Sequence, residues 1–307
     1  MGEEIFQSKH FNLREINKGV YAAIVTKNGG GVGNAGIIDL GDQTIIFDTF
    51  NTPQAAFDLK QAALQLTNNP ITYVVNSHWH GDHIRGNQAF YEYEIISTTM
   101  TKELMDEIHP GRMEKQKKSL QELSDHIKSL EKEADKTKDL IEQENILNSV
   151  SQLKEIKASL PLLTYVSPSF TFEEKYIISG SKREVELISF GGGHTRSDMF
   201  LYIPNESIIF TGDLLVNGTH PYMLDGNPES WIDILEKMLI LPIQVAVPGH
   251  GDIATKEELI ILKEYIIRVI EAANTKELEI PPYYKSWTMP ELYKLNIEFV
   301  KQWKFNN

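Results

Sequence analysis

Residues 76–83 read Asn-Ser-His-Trp-His-Gly-Asp-His and follow directly on the apolar run ITYVV. With nine histidines in 307 residues, an HxHxDH pattern has a chance expectation on the order of one in a few thousand. Imidazole is the commonest metal ligand, carboxylate is a common companion, and a short loop at a strand end aims alternate side chains into one pocket. His78 and His80, two apart, point the same way if strand geometry persists; Asp82 and His83 can then serve a second centre after the turn at Gly81. Four donors on six residues do not readily surround one tetrahedral ion, so more ligands are expected from elsewhere. Three candidates follow apolar runs: His194 after Gly191-Gly192-Gly193, Asp213 in Thr-Gly-Asp, and His250 in Pro-Gly-His-Gly. The glycines let the backbone turn tightly beside each ligand. Trp79, between two of these histidines, is a candidate pocket wall.

The surrounding text supplies strands to carry such loops. VYAAIV, the glycine-rich KNGGGVGNAG and IIDLGDQTIIFDTF predict a β-meander, and Thr52-Pro53 opens a helix with Ala56, Leu59, Ala63 and Leu66 on one face. After ITYVV and EIISTT, residues 101–160 turn to Lys, Glu, Gln, Asp and Ser. Leu120, Leu123, Ile127, Leu130 and Ala134, then Val150, Leu153, Ile156 and Leu160, form two helical stripes. They predict an inserted helical hairpin turning near 135–139. Strands resume at SFTFEEKYIIS, EVELISF, MFLYIP, SIIF and IQVAV. Helices are expected from Pro228, from the capping box Thr255-x-x-Glu258, and from Thr288. The domain division expected is 1–100 with 161–275 as one domain, 101–160 as its insert, and 276–307 as a C-terminal helix packing on the core or on a partner.

Composition narrows the chemistry. No cysteine is present, which excludes disulfides, thiolate ligands, iron–sulfur clusters and a catalytic Cys. The formal charge of −13 opposes phosphate backbones and anionic membranes. No apolar run approaches a membrane span, and the acidic start lacks a signal-like apolar stretch, so the cytoplasm is the expected compartment.

The run at 78–83 with Asp48, His194, Asp213 and His250 in this order resembles the metallo-β-lactamase superfamily of zinc hydrolases, over roughly residues 20–255 apart from the insert. The resemblance implies an α/β fold, a four-layer αβ/βα sandwich of two sheets with helices outside and the site at one edge. It implies one metal on His78, His80 and His194, a second on Asp82, His83 and His250, and Asp213 bridging both. Two Zn²⁺ are the expected cofactors, with Fe or Mn as substitutes. Asp48 corresponds to the family's strand-end aspartate, a hydrogen-bond acceptor holding a ligand loop. Thiolate-using β-lactamases place Cys at the position of Asp213; a carboxylate there resembles the glyoxalase II, lactonase and esterase-like branches. The implied reaction is hydrolysis of a small-molecule ester, thioester, lactone or amide by a metal-bridging hydroxide, with Asp82 orienting it or passing its proton to the leaving group.

Gly31-x-Gly33-x-x-Gly36 matches a dinucleotide fingerprint, but a strand-like IIDLG follows where a helix is needed. A mobile loop beside the metals is expected instead. His10, His109 and His126 lack neighbours at ligand spacing and are assigned surface or structural roles. His220 and Tyr222, after the Asp213 strand, are candidate pocket residues, and Asp198 is a supporting or turn residue. Arg85 is in a position to reach an anionic substrate, but a surface or structural ion pair is its expected role. Two other activities share the ligand pattern: an iron-dependent persulfide dioxygenase and a metal-dependent RNA nuclease. For the nuclease, Arg112, Lys115, Lys117 and Lys118 are diluted by adjacent acids, so nucleic acid is not the expected partner. A homodimer through the insert or the last helix is the oligomer considered.

Overall fold

Strand β1 (Phe11–Asn17) and the predicted meander β2 (Val20–Val25), β3 (Ala35–Asp39) and β4 (Thr44–Phe47) open the chain in the computed structural model, which describes residues 6–275 and 278–306. The acidic start at 1–5, and residues 276, 277 and 307 of the expected C-terminal segment, lie outside the described residues. Helix α1 (Pro53–Thr67) begins as expected, with Thr52 Oγ1 accepting from Ala55 N at 3.3 Å and Pro53 in the first turn. Then come β5 (Ile71–Val75), the single turn α2 (Gly81–Ile84) and β6 (Glu94–Thr98). Strands β1 to β4 are antiparallel neighbours, and β5, β6 and β7 (Phe170–Phe172) extend the sheet in parallel from β4. The second sheet runs β12-β11-β10-β9-β8, from β8 (Lys175–Ser179), β9 (Glu184–Gly191), β10 (Asp198–Ile203), β11 (Ile208–Phe210) and β12 (Val245–Val247).

Alternation on these strands decides the layering. Ile38, Ile45 and Phe47 face the second sheet's Leu187, Leu201 and Phe210, whereas Ile37 and Ile46 face α1 through Ala55, Leu59 and Ala63. The outer face of the second sheet packs on α6 (Pro228–Met238), α7 (Lys256–Thr275) and α8 (Glu291–Asn306) through Trp231, Leu262 and Ile297. Helices therefore flank two facing sheets, the αβ/βα sandwich.

Three expectations need correction. The 101–160 region is three helices, α3 (Thr99–Lys118), α4 (Leu120–Ala134) and α5 (Leu140–Ser159), with the hairpin formed by the last two. Pro110 and Gly111 both disfavour a helix interior, but buried Leu104, Met105, His109 and Met113 hold α3 through them. SFTFEEKYIIS is two strands, not one: the chain leaves the first sheet after Phe172 and enters the second at Lys175. Thr288 does not start a helix. Its backbone bridges Thr219, Met289 has φ +58°, and α8 begins at Glu291, packing on the core through Leu292, Tyr293, Ile297 and Val300. No helix among the described residues is long and apolar enough to cross a membrane.

Candidate metal centre

Every candidate ligand leaves the carboxyl end of a strand on one edge of the sandwich. Asp48 follows β4, His78 to His83 follow β5, His194 follows β9, Asp213 follows β11 and His250 follows β12. Strands β11 and β12 are parallel, so their last residues emerge together, and Gly249 N donates to Gly212 O at 2.8 Å to lock the two loops. A Cβ at Gly249 would fall 1.9 Å from Asp213 Oδ1, so only glycine lets these loops meet. The two sheets are joined at the site by Met199 N donating to Ser77 O at 2.9 Å.

Two groups of ligand atoms result, His78 with His80, His194 and Asp213, and Asp82 with His83 and His250, the atoms of each group lying within 4.8 Å of one another. Asp213 stands between them. Its Oδ2 is 3.2 Å from His194 Nε2 and 3.3 Å from His250 Nε2, and its Oδ1 is 3.1 Å from His83 Nε2. Asp82 Oδ2 is 3.2 Å from His250 Nε2. The buried His78 Nε2, His83 Nε2 and Asp213 Oδ1 make no hydrogen bond despite this crowding. Unpartnered buried donors and acceptors are costly, and lone pairs converging on shared points match the N/O donor set of a divalent cation. The residues fit a metal pair.

Charge separates the two groups. Burial pushes the His194 imidazole down to about 3, and His78 falls well below the usual range through burial and the neighbouring His83. Both shifts favour the neutral imidazole, the form that ligates a metal. Burial alone would lower His83 and His250 too, but Asp213 and Asp82 hold His83 well above its ordinary value and His250 up to about 10. Burial acts to raise the two carboxylates, yet His83 and His250 hold both below the carboxylate range.

The far ring nitrogens are also held. His78 Nδ1 meets Ser77 Oγ at 2.9 Å and His83 Nδ1 meets Asp48 Oδ2 at 2.8 Å. Asp48, fully buried at φ +58°, also accepts from Ser77 N and Ser77 Oγ, each at 2.8 Å, so it clamps both ends of the ligand run. His80 presents Nδ1 to His194 Nε2 at 3.0 Å and its Nε2 to Asp225 Oδ2 at 2.9 Å. Beneath the run, buried Asn76 and Asn87 exchange amide hydrogen bonds of 2.8 and 3.0 Å. Asp198 accepts from Gly193 N at 2.8 Å and Thr195 N at 2.9 Å, closing the His194 loop; burial lifts its carboxyl to about 6.

Of the pocket candidates, Tyr222 packs its ring 5.9 Å from that of His80 and is 39% exposed, at the mouth. Trp79 lies 4.6 Å from the His80 ring but is buried with Ile84, Leu104 and Met105. His220 does not join the ligands. It bonds Tyr265 Oη at 2.9 Å and packs among Tyr265, Trp287 and Tyr293, because the backbone of 218–220 turns to bridge Thr288. The glycine loop is pinned: Asn34 N donates to Gly249 O at 2.7 Å and Gly30 N donates to His10 Nδ1 at 3.1 Å. Among the described residues Arg85 forms no ion pair; its guanidinium donates to Asn51 Oδ1 at 3.1 Å and Gln116 Oε1 at 2.6 Å. Sequence reasoning missed Ser77, Asp225 and the Asn76–Asn87 pair. Only the position of Ser77 beside His78 offered a local hint.

The family model described as the metallo-beta-lactamase superfamily matches residues 28–250. The chain belongs to this superfamily. Its members are metal-dependent hydrolases, and this chain is one of them. Among solved structures, a metallo-beta-lactamase from Pontibacter korlensis is 16% identical with a TM-score of 0.61, covering 84% of this chain and 99% of that one. The DIM-1 metallo-beta-lactamase is 14% identical at a TM-score of 0.59, covering 84% and 98%. VMB-1 is 17% identical at 0.58, covering 85% and 99%. At these identities the likeness is one of fold. No curated protein matches the chain.

Proposed function

We propose that this superfamily member is a cytoplasmic dinuclear zinc hydrolase of a small-molecule ester, thioester, lactone or amide. The observation that carries the reading is Asp213, a single carboxylate facing His194 and His250 through Oδ2 and His83 through Oδ1. A carboxylate at this point, in a chain without cysteine, supports the glyoxalase II, lactonase and esterase-like branch over thiolate-using β-lactamases. His78, His80 and His194 would hold one ion, Asp82, His83 and His250 the other, and Asp213 both. Bound ions of this kind acidify a water towards neutral pH and polarise a scissile carbonyl. The protein's own groups do the positioning: Asp48, Ser77 and Asp225 fix the imidazole rings, and Tyr222 walls the mouth. Asp82, with a side chain 22% exposed, is the carboxylate that orients the attacking water and passes its proton to the leaving group.

Metal analysis by mass spectrometry is expected to find about two zinc per chain, and His78→Ala and Asp213→Ala to lose metal and hydrolysis together. Zinc-loaded protein that cleaves no ester, lactone, thioester or amide would overturn the proposal. Iron content with oxygen uptake on a persulfide would replace it with the dioxygenase.

A further inference from the structure

Helix α3 is docked on the metal-ligand run by one of its faces. His109 Nε2 meets Trp79 O at 2.6 Å, and Gln116, seven residues on, accepts from Arg85. Between them on the same face lies Arg112. Its guanidinium sits over the Trp79 ring, 5.1 Å from the centroid, and is exposed. Trp79 in turn packs on His80, and His80 on Tyr222, so Arg112 stands one ring away from a metal ligand.

The charge balance here is unusual. The chain carries 43 acids against 30 Lys and Arg, yet among the described residues neither Arg112 nor Arg85 is ion-paired. Arg85 hydrogen-bonds only neutral amides and keeps a buried Nε without a partner. Asp225, whose carboxylate also feels the charge of Arg112, gives its hydrogen bond to His80 at 2.9 Å. Two guanidiniums beside the metal ligands, neither in an ion pair among the described residues, stabilise an anion that binds next to them. A guanidinium lying over a tryptophan ring offers a planar fork matched to a carboxylate.

We propose that Arg112, reinforced by the charge of Arg85, binds a carboxylate on the substrate, so that the enzyme's substrates are esters or thioesters of an acid-bearing compound. This rests on the hydrolase reading above. It assigns to helix α3 a part in choosing the substrate.

The test compares monomethyl glutarate, which carries one carboxylate, with dimethyl glutarate, which carries none, on the zinc-loaded enzyme. The acid ester should have a kcat/KM at least about tenfold higher, mainly through KM, and the preference should shrink with added salt. In Arg112→Gln the preference should fall to about one, and Arg112→Lys should restore part of it. Glutarate itself, which cannot be hydrolysed, is titrated calorimetrically into the same proteins and should bind the Gln variant about tenfold more weakly. Turnover of both esters with a preference untouched by Arg112→Gln overturns the carboxylate site and leaves the hydrolase standing. Glutarate binding that depends on Arg112 without turnover of any ester upholds the site and sinks the hydrolase. Neither turnover nor Arg112-dependent binding sinks both.

Discussion

An imidazole that ligates a metal has one nitrogen to spare, and what that nitrogen touches sets the tautomer and aim of the ring. Ser77, Asp225 and Asp48 perform this task for His78, His80 and His83. Asp225→Asn should lower metal affinity by 10- to 100-fold, read by competition with a chromophoric chelator, since an amide oxygen is a poorer brace than a carboxylate. The ligands themselves were legible because they sit at short spacing on strand ends. Asp225 was not, because its contact with His80 spans 145 residues and leaves no local pattern. His220 misled for the mirror reason: proximity in sequence to Asp213 placed it near the cleft, whereas the fold turns it into an aromatic cluster.

A second effect at this scale is a pH dependence. Burial, against the bond to Trp79 O, pushes His109 from 6.5 down to about 4. The folded protein therefore holds His109 neutral where the unfolded chain already binds a proton. Its contribution to stability is complete above pH 6.5 and is lost as pH falls towards 4, by at most about 3 kcal/mol. His109→Gln keeps a donor for Trp79 and removes the titration. In metal-free protein its melting temperature should fall less between pH 6.5 and 4 than that of the wild type.

At the scale of elements, glycines mark where strands and loops must touch. A Cβ at Gly33 would lie 2.7 Å from His83 Cε1, so Gly33→Ala should move that ring and cost about 1–3 kcal/mol together with metal affinity, measured by denaturant melts and metal titration. Gly111 is the opposite case: it sits in α3 with nothing within 4 Å of an added Cβ, and Gly111→Ala should stabilise by about 0.5–1 kcal/mol. Strongly periodic elements such as α1 and α6 were readable as they stand. The crossing at Glu173-Glu174 was not, since each half keeps strand propensity and only the pairing tells which sheet it joins. Helix α3 was obscured by Pro110-Gly111, a local break outweighed by tertiary burial.

Across the whole molecule, the centre collects ligands from both sheets. Metal binding should therefore stabilise the sandwich as one unit. Chelation should lower the melting temperature, and zinc at about 100 times its dissociation constant should return about 2.7 kcal/mol. The two-sheet architecture was available through resemblance, but the order β12-β11-β10-β9-β8 depends on pairings that no single segment encodes.

Asn296 of α8, fully buried, donates its amide to Pro221 O at 2.8 Å and accepts from Met223 N at 3.3 Å. The stretch it grips flanks Tyr222 and leads to Asp225. The last helix thus acts as a bolt on the rim of the cleft. A worn bolt, such as Asn296→Leu, should show itself far away as faster zinc escape in a stopped-flow chelator assay, even in protein that still melts cooperatively.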